Sequence, residues 1–381
     1  MIPGLFVAEH EVEVPLDHAD PTGEQITVFA REIADPDGRE RPWLVYLQGG
    51  PGHESPRPTG NPRGPAWLSR ALEDFRVLLL DQRGTGRSTP VTGREPASYL
   101  THFRADSIVR DCERLRTALG SAPWSVLGQS FGGITLLSYL SLEPQGLREA
   151  FITGGVPGIG VHVDDIFGAT WKRIEDRSRR YYARYPEDRK RMLALLETDG
   201  VAPDRIRSIG NWLGMSDGFE RVHYVLELPP HSPAFRADAH DPLDLIRNPI
   251  YGLLHEACWA DGFATNWSAL RVRPELPPEY FTAEHILPSM FDGSVATTAE
   301  ALARHEWPRL FDEDVLAANA VPVAAVIYTD DLYLERRFSE QTVERFPNFT
   351  PWLTNEYEHN GLRVDGGRIL GRLIDLARGR A

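Results

Sequence analysis

Three short apolar runs in the first third of the chain limit its fold more than any other feature. WLVYL occupies 43–47, RVLLL occupies 76–80 and WSVL occupies 124–127. Each run is bounded by turn residues and is too short for a typical helix, which predicts central strands that are covered on both faces. Between the last two runs, apolar residues recur at helical spacing over 108–119. Strands that alternate with helices predict a parallel α/β sheet.

The middle of the chain follows a different pattern. Residues 157–318 are rich in Trp, Tyr, Arg and Pro and show mainly helical patterns, including one at 243–260. A connection of roughly 160 residues is far longer than an ordinary loop between a strand and a helix. Because a buried strand pattern returns at 321–328, we predict one α/β domain formed by 1–156 and 319–381, with 157–318 inserted as a mainly helical cap.

The composition argues against several classes of protein. The chain has 55 acidic and 41 basic residues, a formal net charge of −14, which disfavours a nucleic-acid partner or an anionic membrane surface. The sequence contains no apolar run of about 18 residues and no secretory signal pattern, so we expect a cytoplasmic protein without a transmembrane helix. Cys112 and Cys258 form no CxxC pair, which predicts two free buried thiols, with a single disulfide as the alternative.

A candidate nucleophile lies directly after the third apolar run. The segment GQSFG at 128–132 fits the pattern G-x-S-x-G around Ser130, and a strand pattern precedes it while a helix pattern follows it, as a nucleophile elbow requires. A serine hydroxyl needs a base, and in this fold the acid and the histidine follow the serine along the chain. His359 is the only histidine beyond residue 331 and is therefore the predicted base. Asp330 and Asp331, after the late buried strand, are both candidates for the acid.

An acyl-transfer site also needs hydrogen-bond donors for the oxyanion. The segment QGGPG at 48–52 follows the first apolar run, which is the place where such a loop is expected. Its glycines would let the backbone approach the substrate, although a plain turn is the alternative. The N–H group of Phe131, which follows the nucleophile, is the second predicted donor.

Two other polar segments are predicted to be structural. The segment DQRGTGRS at 81–88 lacks GK[ST] and G-x-G-x-x-G, so it does not indicate nucleotide binding. We expect it to be a structural loop in which Asp81 and Arg83 pair. The seven Arg and Lys residues of a basic cluster between Arg177 and Arg191 are expected to form a solvated helix face.

The motifs together resemble a known family. LQGGPG at 47–52, DQRGTGRS at 81–88 and GQSFGG at 128–133 resemble, in order and spacing, prolyl aminopeptidases (proline iminopeptidases), which are serine exopeptidases. TNEYEHNGLR at 354–363 and YTDDLYL at 328–334 resemble one branch of that family. The resemblance implies an α/β-hydrolase fold with a mostly parallel central sheet and a cap inserted before the strand that carries the catalytic acid. It implies no metal and no organic cofactor.

The resemblance also implies roles for individual residues. The spacing in the family selects Asp331, 28 residues before His359, as the acid. The second glycine of the loop, Gly50, is implied as an oxyanion donor together with Phe131. Gln48 stands where many members carry a histidine, so the hydrogen bonding behind this loop is not implied by the family.

An aminopeptidase must bind a free α-ammonium group, and the family does so with two cap glutamates 28 residues apart. Glu256 and Glu284 have this spacing and similar surroundings, although ordinary surface glutamates are the alternative. Several aromatic residues nearby could form a proline pocket, but we expect core packing for them. These residues are Trp259, Phe263, Trp267 and Tyr280.

The predicted function is that of a serine aminopeptidase. It would release an N-terminal residue, preferably proline, from a small peptide or amino-acid amide through an acyl-enzyme. An esterase or amidase with the same triad and another acyl group is the alternative, because fold and triad do not determine the substrate. A ligand-binding protein on the same scaffold is a further alternative, and the presence of Ser130, Asp331 and His359 argues against it.

Overall fold

The computed structural model describes residues 2–197, 202–230, 232–239 and 241–380, so small parts of the predicted cap lie outside the described residues. Its centre is an eight-stranded sheet. The strands are β1 (Phe6–Pro15), β2 (Gln25–Ala34), β3 (Trp43–Leu47), β4 (Arg76–Asp81), β5 (Trp124–Gln129), β6 (Leu147–Thr153), β7 (Val323–Tyr328) and β8 (Phe349–Thr354). A separate hairpin pairs Thr59–Gly60 with Arg63–Gly64.

The sheet is mostly parallel, as predicted. Its strand order is β1-β2-β4-β3-β5-β6-β7-β8. The pairs β1–β2 and β2–β4 are antiparallel, and the remaining pairs are parallel. The three apolar runs form β3, β4 and β5, whose side chains are almost all buried because helices cover both faces of a parallel sheet. In the edge strand β1, partly buried and exposed residues alternate over 8–13.

Helices pack on both faces of this sheet. Ala105–Ala118, Phe131–Leu142 and Arg336–Arg345 contribute buried side chains to the core on one face. Leu68–Asp74 and Gly366–Ala377 contribute to the core on the other face. Phe131–Leu142 is apolar on all sides and buried along nearly its whole length, which fixes its first residues against the sheet. Short helical turns lie at Ala97–Leu100, Pro144–Gly146 and Gly361–Val364.

The chain between β6 and β7 is mainly helical. Its α-helices are Val163–Arg184 (the first cap helix), Asp188–Leu196, Pro203–Arg207, Gly218–Glu227, Pro233–Ala239, Pro249–Leu254, Ser268–Arg271, Gly293–Ala303 and Glu313–Ala317. Among the described residues of this region, 3-10 turns lie at Ser208–Gly214, Glu256–Cys258 and Pro288–Met290. One cluster of buried side chains from this region also includes Leu332, Tyr333 and Leu334, just after β7. The cap therefore packs on the loop that follows β7, while its limits at 157 and 318 stay predictions.

The expected helix at 243–260 is wrong in extent. The structure has a helix only at Pro249–Leu254 and a 3-10 turn after it. The carboxylate of Asp241 accepts hydrogen bonds from the N–H groups of Leu245 (2.8 Å) and Ile246 (2.7 Å), which holds a turn ahead of the helix. Pro249 then starts the helix, because a proline disfavours helical conformation in the residue before it.

The two cysteines agree with the expectation of free buried thiols. Cys112 and Cys258 are both buried and free, and burial raises the pKa of each thiol. Within the part of the chain that the structure describes, no helix combines the length and apolar character needed to cross a bilayer. The same residues contain no group of three or more His, Cys, Asp or Glu side chains suited to a metal ion.

Candidate active site

Ser130 occupies the sharp turn between β5 and the helix Phe131–Leu142. Its φ of 54° and ψ of −121° lie in a region that residues other than glycine rarely adopt. The Ser130 N–H donates to the carbonyl oxygen of Thr153 (3.0 Å) at the end of β6, and its own carbonyl accepts from Gly133 N–H (2.7 Å). Phe131 begins the helix, so its N–H has no acceptor within that helix. The turn therefore sets Ser130 between the carboxyl end of β5 and the first N–H groups of the helix.

Two glycines allow the close approach that this turn requires. A Cβ atom on Gly132 would overlap the carbonyl oxygen of Leu47 at the end of β3. A Cβ atom on Gly155 would overlap the carbonyl oxygen of Ser130. In both places the obstacle is backbone, which cannot move aside as the end of a side chain can. Close packing around Ser130 thus explains Gly132 of the motif and Gly155 after β6.

Asp331 and His359 form a buried pair. The Nδ1 atom of His359 lies 2.8 Å from Oδ2 of Asp331. The other oxygen of Asp331 accepts hydrogen bonds from the N–H groups of Tyr333 (2.8 Å) and Leu334 (3.2 Å), which orients the carboxylate. The side chain of Asp330 is 57% exposed. The structure therefore brings Asp331, and not Asp330, to the histidine.

The surroundings of His359 favour its charged form. Burial by itself would lower the pKa of the imidazole, but the charge and hydrogen bond of Asp331, with the charges of Glu284 and Glu358, raise it overall. The ring of Tyr333 packs edge-on against the imidazole, with ring centroids 4.6 Å apart. An imidazole held in this way can accept a proton and be stabilised as the imidazolium.

Ser130 and His359 follow different strands and lie on either side of the segment after β6. Gly154 and Gly155 follow β6 and lie between them. A Cβ atom on Gly154 would be 3.2 Å from Nδ1 of His359, while the next residue, Gly155, touches the backbone of Ser130. The structure therefore places Ser130, Asp331 and His359 after the carboxyl ends of β5, β7 and β8, with Gly154 and Gly155 between the serine backbone and the imidazole.

The glycine-rich segment after β3 packs against the nucleophile. A Cβ atom on Gly49 would lie 3.0 Å from the Cβ atom of Ser130. Gly50 has a φ of 127°, which favours glycine. Behind the loop, Oε1 of Gln48 accepts hydrogen bonds from the hydroxyl of Tyr46 (2.7 Å) and the N–H of Gly49 (3.1 Å). Gln48 thus supports the loop in the position where many family members carry a histidine.

Glu284 lines a small cavity between the cap and the β7 loop. Its Oε1 accepts a hydrogen bond from the hydroxyl of Tyr251 (2.5 Å), and its Oε2 lies 3.5 Å from Nε2 of His255. Burial would raise its pKa, but His255, His359 and Tyr251 together lower it, which favours the ionised carboxylate. The apolar walls of the cavity include Ile166, Phe167, Trp259, Leu332 and Tyr333. An anionic group thus faces an apolar space next to the imidazole.

Glu256 has a different environment. Its Oε1 accepts a hydrogen bond from Ala269 N–H (2.8 Å) and its Oε2 accepts one from Ser268 N–H (3.1 Å), so it binds the first N–H groups of the helix Ser268–Arg271. Burial raises the pKa of Glu256, although these donors lower it in part. Of the two glutamates predicted to bind an amine, Glu284 is the one that lines the cavity.

The comparisons with known proteins agree with this geometry. Residues 42–198 match the family described as the alpha/beta hydrolase fold. A proline iminopeptidase of Aeromonas sobria is 42% identical over 99% of this chain and 98% of its own length. A proline iminopeptidase of Aspergillus aculeatus is 33% identical over 98% of this chain and 94% of its own length. The chain belongs to the proline iminopeptidase family. The resemblance inferred from the three motifs is thereby confirmed.

Solved structures show the same fold. The crystal structure of a proline iminopeptidase from Mycobacterium smegmatis matches 97% of this chain and 98% of its own, with a TM-score of 0.53 and 15% identity. The structure of VinJ matches 98% of this chain and 99% of its own, with a TM-score of 0.52 and 14% identity. The predicted α/β-hydrolase fold is therefore confirmed.

The aromatic residues near the candidate site mostly pack in the cap. Phe263, Trp267 and Tyr280 are partly buried against the apolar clusters, in agreement with the favoured expectation. Trp259 packs against these clusters and also lines the cavity.

The sequence patterns did not reveal the hydrogen-bonding and ionic partners of Glu284. These partners are Tyr251 and His255, which lie four residues apart just before Glu256. Residues at this spacing share one face of a helix, and that spacing was the sequence signal for the pair.

The expected pairing of Asp81 with Arg83 is wrong. The chain leaves β4 after Asp81 and turns at Arg83, so the two side chains reach different partners. Asp81 lies 3.2 Å from Nη1 of Arg57 and accepts a hydrogen bond from Ser55 N–H (3.1 Å). Arg83 is fully buried and donates from Nε to Asp111 (2.6 Å). The segment is still structural, but its ion pairs connect distant parts of the chain.

Proposed function

We propose that this chain is a serine aminopeptidase that releases an N-terminal residue, preferably proline, from small peptides. The observation that carries the proposal is the carboxylate of Glu284 in an apolar cavity beside the Asp331–His359 pair. Membership of the proline iminopeptidase family supports the same activity. We also propose a cytoplasmic location, which the two free buried thiols support.

The proposed reaction proceeds through an acyl-enzyme. His359 accepts the proton of Ser130 while the hydroxyl oxygen attacks the scissile carbonyl carbon. Asp331 orients the imidazole through Nδ1 and stabilises the imidazolium. The N–H groups of Gly50 and Phe131 donate to the tetrahedral oxyanion. His359 then protonates the leaving amine, and water hydrolyses the ester on Ser130 with the same histidine as base.

A free N-terminal proline carries a charged amine and a compact apolar ring, the two groups that a carboxylate with apolar neighbours would bind. The ammonium of the substrate would bind the carboxylate of Glu284, and the compact ring would contact apolar residues around that carboxylate, such as Phe167 and Trp259. A hydrogen bond to a charged group contributes about 1.5–3 kcal/mol, whereas an acetylated amine offers no charge. We propose Glu256 as a weaker second member of the amine anchor, because backbone N–H groups already bind both of its oxygens.

Two assays on Ser130→Ala test this proposal. The wild type should hydrolyse prolyl-β-naphthylamide and react with a fluorophosphonate probe. The variant should stay folded, resist the probe and lose roughly 10⁴-fold or more in kcat. Turnover by the variant close to that of the wild type would contradict the triad. Labelling of the wild type without cleavage of any prolyl substrate would favour the esterase or amidase alternative.

A further inference from the structure

Arg177 connects the cap to both loops that carry the proposed acid and base. It lies on the first cap helix and is 6% exposed, so the expected solvated face is wrong at this position. Its Nη2 donates to the carbonyl oxygen of Asp330 (2.7 Å) and to Oε2 of Glu358 (2.6 Å). Asp330 directly precedes Asp331, and Glu358 directly precedes His359. One guanidinium therefore bridges the residues next to both members of the pair.

The same guanidinium neutralises a carboxylate close to the imidazole. The acidic and aromatic groups that face His359 are Asp331, Glu284, Glu358 and Tyr333. Glu358 is on the same loop as the imidazole, and its side chain is 23% exposed, so water screens only part of its charge. Arg177 supplies a positive charge at ion-pair distance from it. The carboxylate that is hydrogen-bonded to the imidazole is that of Asp331.

We propose that Arg177 is a positioning residue for the triad, which holds the acid and base loops on the cap and cancels the charge of Glu358. The inference rests on the proposed triad and goes beyond it, since the cap would then support catalysis as well as enclose the substrate. Arg173, one turn earlier on the same helix, adds a similar connection. It donates to Glu335 (2.9 Å) and to the carbonyl oxygen of Thr329 (3.4 Å).

A set of charge variants distinguishes this role from ordinary cap packing. Arg177→Met should leave Glu358 unpaired. An unpaired carboxylate near an imidazole raises the pKa of the imidazole by about one unit. The acid limb of the pH profile of kcat/KM should therefore move to higher pH. In addition, kcat should fall about 10-fold to 100-fold, because the loops that carry the acid and the base would be misplaced. Glu358→Gln should move the limb to lower pH. The double variant should return the limb toward its wild-type position while kcat stays low.

Arg180→Met is the matched control. Arg180 is on the same helix and lies 3.9 Å from the side chain of Asp330, but its side chain is 50% exposed, so we expect no shift of the limb. Arg177→Lys keeps the charge and should keep the limb near its wild-type position. The melting temperature of each variant shows whether it folds.

The pH dependence of fluorophosphonate labelling provides a readout that does not depend on the peptide substrate. Opposite shifts in the two single variants, cancelled in the double variant, would support the proposal. An unchanged limb in Arg177→Met, or shifts of the same sign in both single variants, would overturn it. If Arg177→Met does not fold, an unchanged limb in Glu358→Gln overturns it instead. A wild type that labels but cleaves no prolyl substrate would refute the proposed function, and the labelling profiles would still decide the role of Arg177.

Discussion

Selection of a free amino terminus depends on the charge of Glu284 in this account. Glu284→Gln preserves the size of the side chain and an acceptor for the Tyr251 hydroxyl, but removes the negative charge from the cavity. A hydrogen bond to a charged group contributes about 1.5–3 kcal/mol, and 1.36 kcal/mol corresponds to one decade in rate. We therefore expect kcat/KM for prolyl-β-naphthylamide to fall about 10-fold to 150-fold.

At low pH, a second effect of this substitution favours the activity of the variant. The charge of Glu284 helps to raise the pKa of His359, so its removal should move the acid limb of the profile to lower pH. The variant would then hold more neutral imidazole than the wild type in acidic buffer. The two enzymes must be compared on the pH-independent plateau, where this difference disappears.

Glu256→Gln is the matched comparison, since it makes the same chemical change in the other predicted anchor. Its amide would face the N–H groups of Ser268 and Ala269, and an unsatisfied buried group costs about 1–3 kcal/mol. We expect a lower melting temperature and a smaller loss of kcat/KM than in Glu284→Gln. A loss in Glu284→Gln no greater than that in Glu256→Gln would refute the reasoning about the cavity.

Three further predictions concern the triad and its elbow. Asp331→Asn should lower kcat roughly 10⁴-fold, because the imidazole loses the partner that fixes its tautomer; a steady-state assay showing wild-type turnover would contradict this. Since only neutral His359 can accept the serine proton and its pKa is raised, kcat/KM should decline with acidity through a pKa above the ordinary 6.5; a limb below that value would count against the assignment. Gly132→Ala should destabilise the fold by about 1–3 kcal/mol in urea unfolding, because its Cβ would overlap the Leu47 carbonyl, and unchanged stability would disprove that packing.

Features that depend on a continuous stretch of chain could be predicted from the sequence. The strands β3, β4 and β5 follow from apolar runs, and the turn at Ser130 follows from a strand, a tight motif and a helix in immediate succession. His359 could be found by elimination. The choice of Asp331 over Asp330 required the family spacing, because two adjacent aspartates after one strand look alike, whereas burial and hydrogen bonds separate them in three dimensions.

Features that depend on distant partners could not be predicted in this way. The partner of Arg83 is Asp111, 28 residues away, and only the packed loops bring them together. Glu256 binds the N–H groups at the start of a helix 12 residues further on, which spacing alone cannot distinguish from an exposed glutamate. Arg177 is buried because the loops after β7 and β8 meet the cap at that point, whereas Arg179 and Arg180 on the same helix are exposed.

The wild type can be tested most directly by comparing prolyl-β-naphthylamide with its N-acetylated form. We expect rapid hydrolysis of the free amine and very slow hydrolysis of the acetylated substrate, because only the former carries an ammonium for Glu284. Comparable hydrolysis of both would contradict the central claim, and would leave a serine hydrolase without selection for a free amino terminus.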